Sequence, residues 1–194
     1  MTSHEVDFNY FSQEHLLNAG CFDMRLIVEV VEQTLLDFEQ GSIMFPEKIV
    51  QIFNQRTQER INCLPATMLD EKICGMKWVS VFPDNPHKYD LQNLSAIFVL
   101  SEIEHGFPVA VMDGTLASNM RVGAVGAVAA KHLAKKDAEI IGFIGAGEQA
   151  KMHLLAMKVV RPGLKVCRVS ALTSEEEQEF IDQLAPILPD MEFI

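Results

Sequence analysis

Positive charge is scarce in this chain: 16 Lys and Arg stand against 27 Asp and Glu, a formal net charge of −11 over 194 residues. No Lys/Arg-dense stripe offsets the acids, so nucleic acid is excluded as a partner, although a local basic pocket is not. Cysteine is equally sparse. Cys21, Cys63, Cys74 and Cys167 are scattered through apolar runs with no C-x-x-C pair, which excludes a disulfide framework and a zinc site and predicts buried free thiols in a reducing cytosol. No uninterrupted apolar run reaches membrane-spanning length, and the first residues, Met-Thr-Ser-His-Glu-Val-Asp, carry neither a basic n-region nor an apolar h-region. A cytoplasmic protein with no membrane contact is the expectation. His15, His87, His105, His132 and His153 lack metal-ligand spacing and read as surface or capping residues, so no metal is expected. No Ser/His/Asp or Cys/His arrangement, internal repeat or low-complexity tract is found.

What the chain does have is a core: 48% of its residues are hydrophobic and 22% charged, the composition of a globular protein. Asp23 is placed to cap a helix whose apolar positions Leu26, Ile27, Val30, Val31, Leu35 and Phe38 form a stripe ended by Gly41. Five extended segments follow, at 49–53, 61–69, 73–82, 96–103 and 107–112, rich in β-branched and aromatic residues. Pro83-Asp84-Asn85-Pro86 reads as a loop, and Glu104-His105-Gly106 as the turn of a hairpin. From 116 to 134 the pattern is helical, and its small Gly/Ala-rich stretch 122–130 suits close helix packing. Then come a strand, a glycine turn and a helix, a second strand at 165–171, an acidic-started helix at 174–184, and the start of another strand at 191–194.

The most specific signal is Ile140-Ile-Gly-Phe-Ile-Gly145-Ala146-Gly147-Glu148-Gln149-Ala150. An apolar strand runs into a G-x-G-x-x-A turn that opens an amphipathic helix, the context in which such glycines mean dinucleotide binding. Gly145 permits the tight turn, Gly147 lets backbone approach a pyrophosphate, and Ala150 keeps the helix near the sheet. The helix N-terminus offers free N–H groups to the anion. The expected fold class is α/β: an N-terminal α+β domain over 1–115, a linking helix at 116–136, and the first βαβαβ half of a Rossmann-type domain at 137–194. Because a doubly wound nucleotide domain has a second half, the chain is expected to be the N-terminal portion of a longer protein and inactive alone. Among the cations, Lys77 lies in an otherwise apolar strand, Arg121 near the start of a Gly/Ala-rich helix, and Lys48 before a strand. From spacing alone, Lys77 reads as well as a strand lysine reaching water, Arg121 as a salt-bridge or capping residue, and Lys48 as a solvated strand end. Asp113 reads as a turn former.

The order of four motifs resembles the ornithine cyclodeaminase/mu-crystallin family. They are Lys77-Trp-Val-Ser-Val-Phe-Pro, Gly106-Phe-Pro-Val-Ala-Val-Met-Asp-Gly-Thr, Arg121, and Ala138-Glu-Ile-Ile-Gly-Phe-Ile-Gly-Ala-Gly-Glu-Gln-Ala. The resemblance runs over essentially the whole chain. It implies an NAD- or NADP-binding protein of amino-acid or imino-acid metabolism, with hydride transfer at the substrate α-carbon, and a homodimer formed through the N-terminal domain. It also implies residue roles. Lys77 matches the lysine that binds the substrate carboxylate and polarises the reacting group. Arg121 matches the arginine between substrate carboxylate and cofactor phosphate, and Lys48 falls near a further carboxylate-binding cation. Gly145, Ala146, Gly147, Glu148 and Gln149 match the pyrophosphate turn, and Asn93 falls where many members have a cofactor-contacting threonine. Ser170 stands where NAD-preferring members carry an acid, so NADP becomes admissible, while the glutamates at 175–177 disfavour it. The family's acid/base aspartate lies beyond this sequence. A ketimine reductase or mu-crystallin-like NADPH-binding protein and a non-catalytic accessory subunit are the alternatives.

Overall fold

Short-range hairpin signals assemble the first sheet of the computed structural model, which describes residues 6–194. In chain order the elements begin with β1 (Asn9–Phe11), α1 (Gln13–Asn18), α2 (Met24–Gln40), β2 (Ile43–Met44), β3 (Ile49–Asn54), β4 (Glu59–Met68) and β5 (Ile73–Val81). They continue with α3 (Asn85–Tyr89), β6 (Leu94–Glu102), β7 (Pro108–Asp113), α4 (Thr115–Leu133), β8 (Ile140–Ile144) and α5 (Glu148–Val160). The last are β9 (Val166–Ser170), α6 (Ser174–Leu184) and β10 (Glu192–Phe193). Two compact units result: the stretch ending at Cys21 together with Thr34–Ser118, and Phe22–Gln33 together with Asn119–Ile194.

The first unit holds a seven-stranded sheet in the order β1-β7-β6-β5-β4-β2, with β3 also on β4. From β4 to β7 the pairing is antiparallel, and only β1 joins in parallel, on β7. The expected hairpin turn forms around Glu102, whose carboxylate accepts the amides of Glu104, His105 and Phe107. Those amides, Phe107's foremost, hold its carboxyl below the usual carboxylate range. Asp113 is a turn former as expected, accepting from the Thr115 amide at 3.0 Å and its hydroxyl at 3.1 Å.

Three expectations need correction. Pro83–Pro86 is not wholly a loop: Pro86 enters the first turn of α3, where its missing N–H costs nothing. Leu26, Val30, Leu35 and Phe38 of the expected α2 stripe are exposed, at 46–53%; Met24, Ile27, Val28 and Val31 make the core contact instead. All four thiols are free, but only Cys167 is buried; Cys21, in the turn after α1, is exposed.

The second unit is a parallel three-stranded sheet, β10-β9-β8. Alternation along the strands turns Ile141, Phe143, Cys167 and Val169 toward one face, where Leu154 of α5 and Phe180 and Leu184 of α6 close a core. The opposite face, with Ile140, Gly142, Ile144, Arg168 and Ser170, is exposed. Close helix packing occurs as the small residues at 122–130 imply. A Cβ on Gly123 would lie 2.5 Å from the Met152 carbonyl oxygen of α5, so only glycine lets the helices meet this closely. Buried Arg161 fastens the far end of α4, donating to the carbonyls of Ala130, Lys131, Ala134 and Lys135. The Ala130 and Lys135 carbonyls also accept the amides of Ala134 and Ala138, so Arg161 adds to the bonds at this helix end, where carbonyls run short of intrahelical donors.

Candidate functional site

In the second unit the chemistry gathers where β8 runs into α5. Gly145 has φ +99°, a backbone that L side chains resist, and its amide donates to the Ser170 carbonyl at 2.7 Å. That bond fixes the glycine turn beside the end of β9. Gly147 caps α5 with ordinary extended backbone, so conformation does not require glycine there. Nor does crowding: a Cβ at Gly147 would meet nothing within 4 Å, so the helix end stands open for a ligand to approach. No side chain caps this terminus; the Ala150 amide turns back onto the Gly147 carbonyl at 2.9 Å, which leaves the Glu148 and Gln149 amides as the first-turn donors without an intrahelical acceptor. Such an end fits the pyrophosphate of a dinucleotide.

The side chains around the turn are already ordered. Gln149 Nε2 donates to Asn119 Oδ1 on α4 at 2.9 Å, tying the two helices at this end. The Glu148 carboxylate, which alone would repel an anion, accepts from Lys151 Nζ at 2.7 Å. Lys151 is only 7% exposed and also donates to Gln183 of α6 at 2.7 Å. Ala146 packs against the core beneath the turn. Ser170, exposed, ends β9. Arg121 follows Asn119 on α4 by two residues, hence on the far side of that helix from α5. It is exposed and, among the described residues, has no ion-pair partner. Neighbouring protein still lowers its pKa by desolvation, which leaves a guanidinium charged at any physiological pH.

The first unit carries the other cations. Lys77 is half-buried in β5, in register with Leu64 of β4 and Phe98 of β6. Lys48 is exposed and immediately precedes Ile49, which pairs with Cys63. Lys48 itself lies just outside the β3–β4 ladder, whose register begins at Ile49. Asn93 is exposed in the bend before β6, where its carbonyl accepts the Phe82 amide at 2.8 Å. An apolar groove of about 500 Å³ lies elsewhere, between β1, α1 and Met112, and no Lys or Arg lines it.

Three features escaped the sequence reading. The Ser118 hydroxyl, on a residue 3% exposed, and Asn62 Oδ1 are buried without hydrogen-bond partners. A helical wheel shows Ser118 one turn before Arg121, but nothing in sequence reveals an unsatisfied oxygen. The Gln149–Asn119 bond joins residues thirty apart. Finally, Glu176 and Glu177 fold back onto the amides of Leu172 and Ala171; a capping pattern hints at this, as Thr173 Oγ1 accepts from the Glu176 amide.

A profile of the ornithine cyclodeaminase/mu-crystallin family matches residues 17–192. The chain is 34% identical over 160 residues to an alanine dehydrogenase of Archaeoglobus fulgidus, covering 82% of this chain and 44% of that protein. It superposes on Thermococcus litoralis delta(1)-pyrroline-2-carboxylate reductase, solved with NADH and L-proline, at TM-score 0.87 and 29% identity, over 95% of this chain and 55% of that one. An archaeal alanine dehydrogenase dimer with bound NAD gives TM-score 0.85 and 28% identity, over 96% and 55%. The chain thus spans about half the length of the relatives it matches. Among the described residues no helix is long and apolar enough to cross a membrane, and no cluster of three or more His, Cys, Asp or Glu could hold a metal.

Proposed function

The chain belongs to the ornithine cyclodeaminase/mu-crystallin family, and we propose that it carries substrate-holding and dinucleotide-holding parts of an enzyme transferring hydride at the α-carbon of an amino or imino acid. The observation that carries this reading is the open, uncapped α5 terminus behind a glycine held at φ +99°. The segment 1–115 would be the substrate and dimerisation domain, 116–136 the link, and 137–194 the first half of the dinucleotide domain.

When bound, the nicotinamide supplies or accepts the hydride. The protein's own residues bind and orient. Gly145, Ala146 and Gly147 present amides to the pyrophosphate, Glu148 and Gln149 stand at the helix end, and Ser170 lies at the ribose edge. Lys77 and Arg121 would hold the substrate carboxylate, with Lys48 adding positive charge. A carboxylate fixed by cations places the α-carbon for reaction and stabilises charge that develops there. Arg121, turned away from α5, suits the substrate better than the pyrophosphate; Asn93 is the weaker cofactor contact.

A homodimer through the first unit is part of the same proposal. Met44, Phe45, Ile49 and Phe53, along the β2/β3 edge, are 55–65% exposed, an apolar surface of the kind that marks an interface. A relative solved as a dimer points the same way. The free thiols fit a cytoplasmic setting. Calorimetric titration of the 194-residue chain with NADH tests the central claim. Saturable binding at micromolar to millimolar ligand is expected, and a flat titration across that range would remove the dinucleotide assignment.

A further inference from the structure

Nicotinamide dinucleotides come in two forms that differ by a phosphate on the adenosine ribose, nearly two negative charges near neutral pH. In a doubly wound sheet that ribose lies at the end of the second strand, beside the glycine turn. Here the second strand is β9, and the Gly145–Ser170 bond of 2.7 Å brings its end against the turn. Ser170 supplies neither an acid to grip ribose hydroxyls nor a cation to grip a phosphate.

The segment after it is Ala171-Leu-Thr-Ser-Glu-Glu-Glu177, without a single cation. Its first two amides, the donors a ribose phosphate could claim, are already taken. The Ala171 amide donates to Glu177 Oε1 at 2.9 Å, and the Leu172 amide to Glu176 Oε2 at 3.4 Å. Both carboxylates are thereby drawn back toward the end of β9; Glu177 is half-buried and Glu176 exposed. The nearby lysines are engaged: Lys151 holds Glu148 and Gln183, and Lys165 holds Glu139 at the other end of β9. Arg168 lies two residues back along β9, about 7 Å from the strand end.

We propose that Glu176 and Glu177 set cofactor choice, selecting the dinucleotide without the 2′-phosphate, NAD(H), over NADP(H). Carboxylates reaching back from α6 take the place of the strand-end acid that Ser170 lacks. They repel a phosphate and deny it the two turn amides. This selectivity rests on the dinucleotide reading of the β8–α5 turn.

The test uses the full chain and two probes for the adenosine end, ADP and 2′,5′-ADP, followed by NMR or calorimetry. ADP is expected to bind at least about tenfold tighter. In the Glu176→Gln/Glu177→Gln double variant, glutamine can still accept the amide bonds but carries no charge, and the preference should shrink to about threefold or less. Thermal melting checks that the variant folds. If it does not, Glu176→Gln alone, at an exposed residue with the longer bond, should narrow the ratio in the same direction. Equal or tighter binding of 2′,5′-ADP to the native chain, or an unchanged ratio in a folded variant, overturns the selectivity. Binding of neither probe at about 5 mM refutes the dinucleotide reading itself, and the selectivity falls with it.

Discussion

Where α4 meets α5, a Cβ on Gly123 would lie 2.5 Å from the Met152 carbonyl oxygen; at the start of α5, a Cβ on Gly147 would meet nothing within 4 Å. Both glycines border the same helix in the same unit. One is small because there is no room, the other small although there is room to spare. Only the second is unexplained by the fold, and unfilled space at an uncapped helix end is what a bound anion would use. The α4–α5 contact is thus architecture, and the β8–α5 turn is an opening. Substitutions in the first region should cost folding, and in the second they should cost binding alone.

The sharpest break would come from Gly123→Val, which pushes a branched side chain into the backbone of α5. A loss of roughly 3 kcal/mol or more is expected, read as a fall in thermal or urea stability. A variant as stable as the parent would erase the distinction between the two glycines. Next come the cations assigned to substrate. In an assembled, active enzyme Lys77→Ala and Arg121→Ala should each reduce kcat/KM by about 2–4 kcal/mol in transition-state terms while melting stays near normal. Near-parental turnover would return both residues to structural roles.

A smaller effect, confined to binding, is expected from Gly147→Val. The side chain fits the free protein, so stability should hold, while nucleotide affinity drops by at least about tenfold. Unchanged affinity in calorimetry would mean that the open space is not the anion's path. The smallest effect belongs to a surface contact between α2 and α4. Glu32 accepts from Lys131 at 2.6 Å and lies 2.9 Å from His132, and those contacts, Lys131's first, lower its pKa. A depressed carboxylate contributes stability that is complete above its unfolded pKa and lost as pH falls through the folded value. Glu32→Gln should therefore cost only a few tenths of a kcal/mol near neutrality, since the pair is partly exposed, and progressively less as pH falls below the usual carboxylate range and through the lowered folded value. Urea midpoints followed from neutral into acid pH would show it.

The opening was far more legible in the sequence than the architecture around it. Gly145, Gly147 and Ala150 announce themselves because the turn demands particular residues at fixed offsets. Likewise α6 could be bounded at 174–184 because acidic residues gather in its first turn, and the structure shows Thr173 capping it. By contrast β1 and β2, of three and two residues, are too short for alternation to show and exist only because β7 and β4 offer them partners. The exposure of Leu26, Val30, Leu35 and Phe38 was hidden because periodicity gives a stripe's direction and not what meets it. Side-chain bonds such as Gln149–Asn119 depend on how helices are set against each other, which local pattern does not encode.

Burial gives the two units different thiol chemistry. Cys167 sits in the second unit's core, where loss of hydration pushes its pKa up to about 11, so near neutrality it is almost wholly the unreactive thiol. Cys21 is exposed in the first unit. An alkylating reagent added to the folded protein will therefore mark Cys21 promptly and reach Cys167 only when the second unit opens. The lag between the two is a direct measure of how often that sheet comes apart, obtained without denaturant.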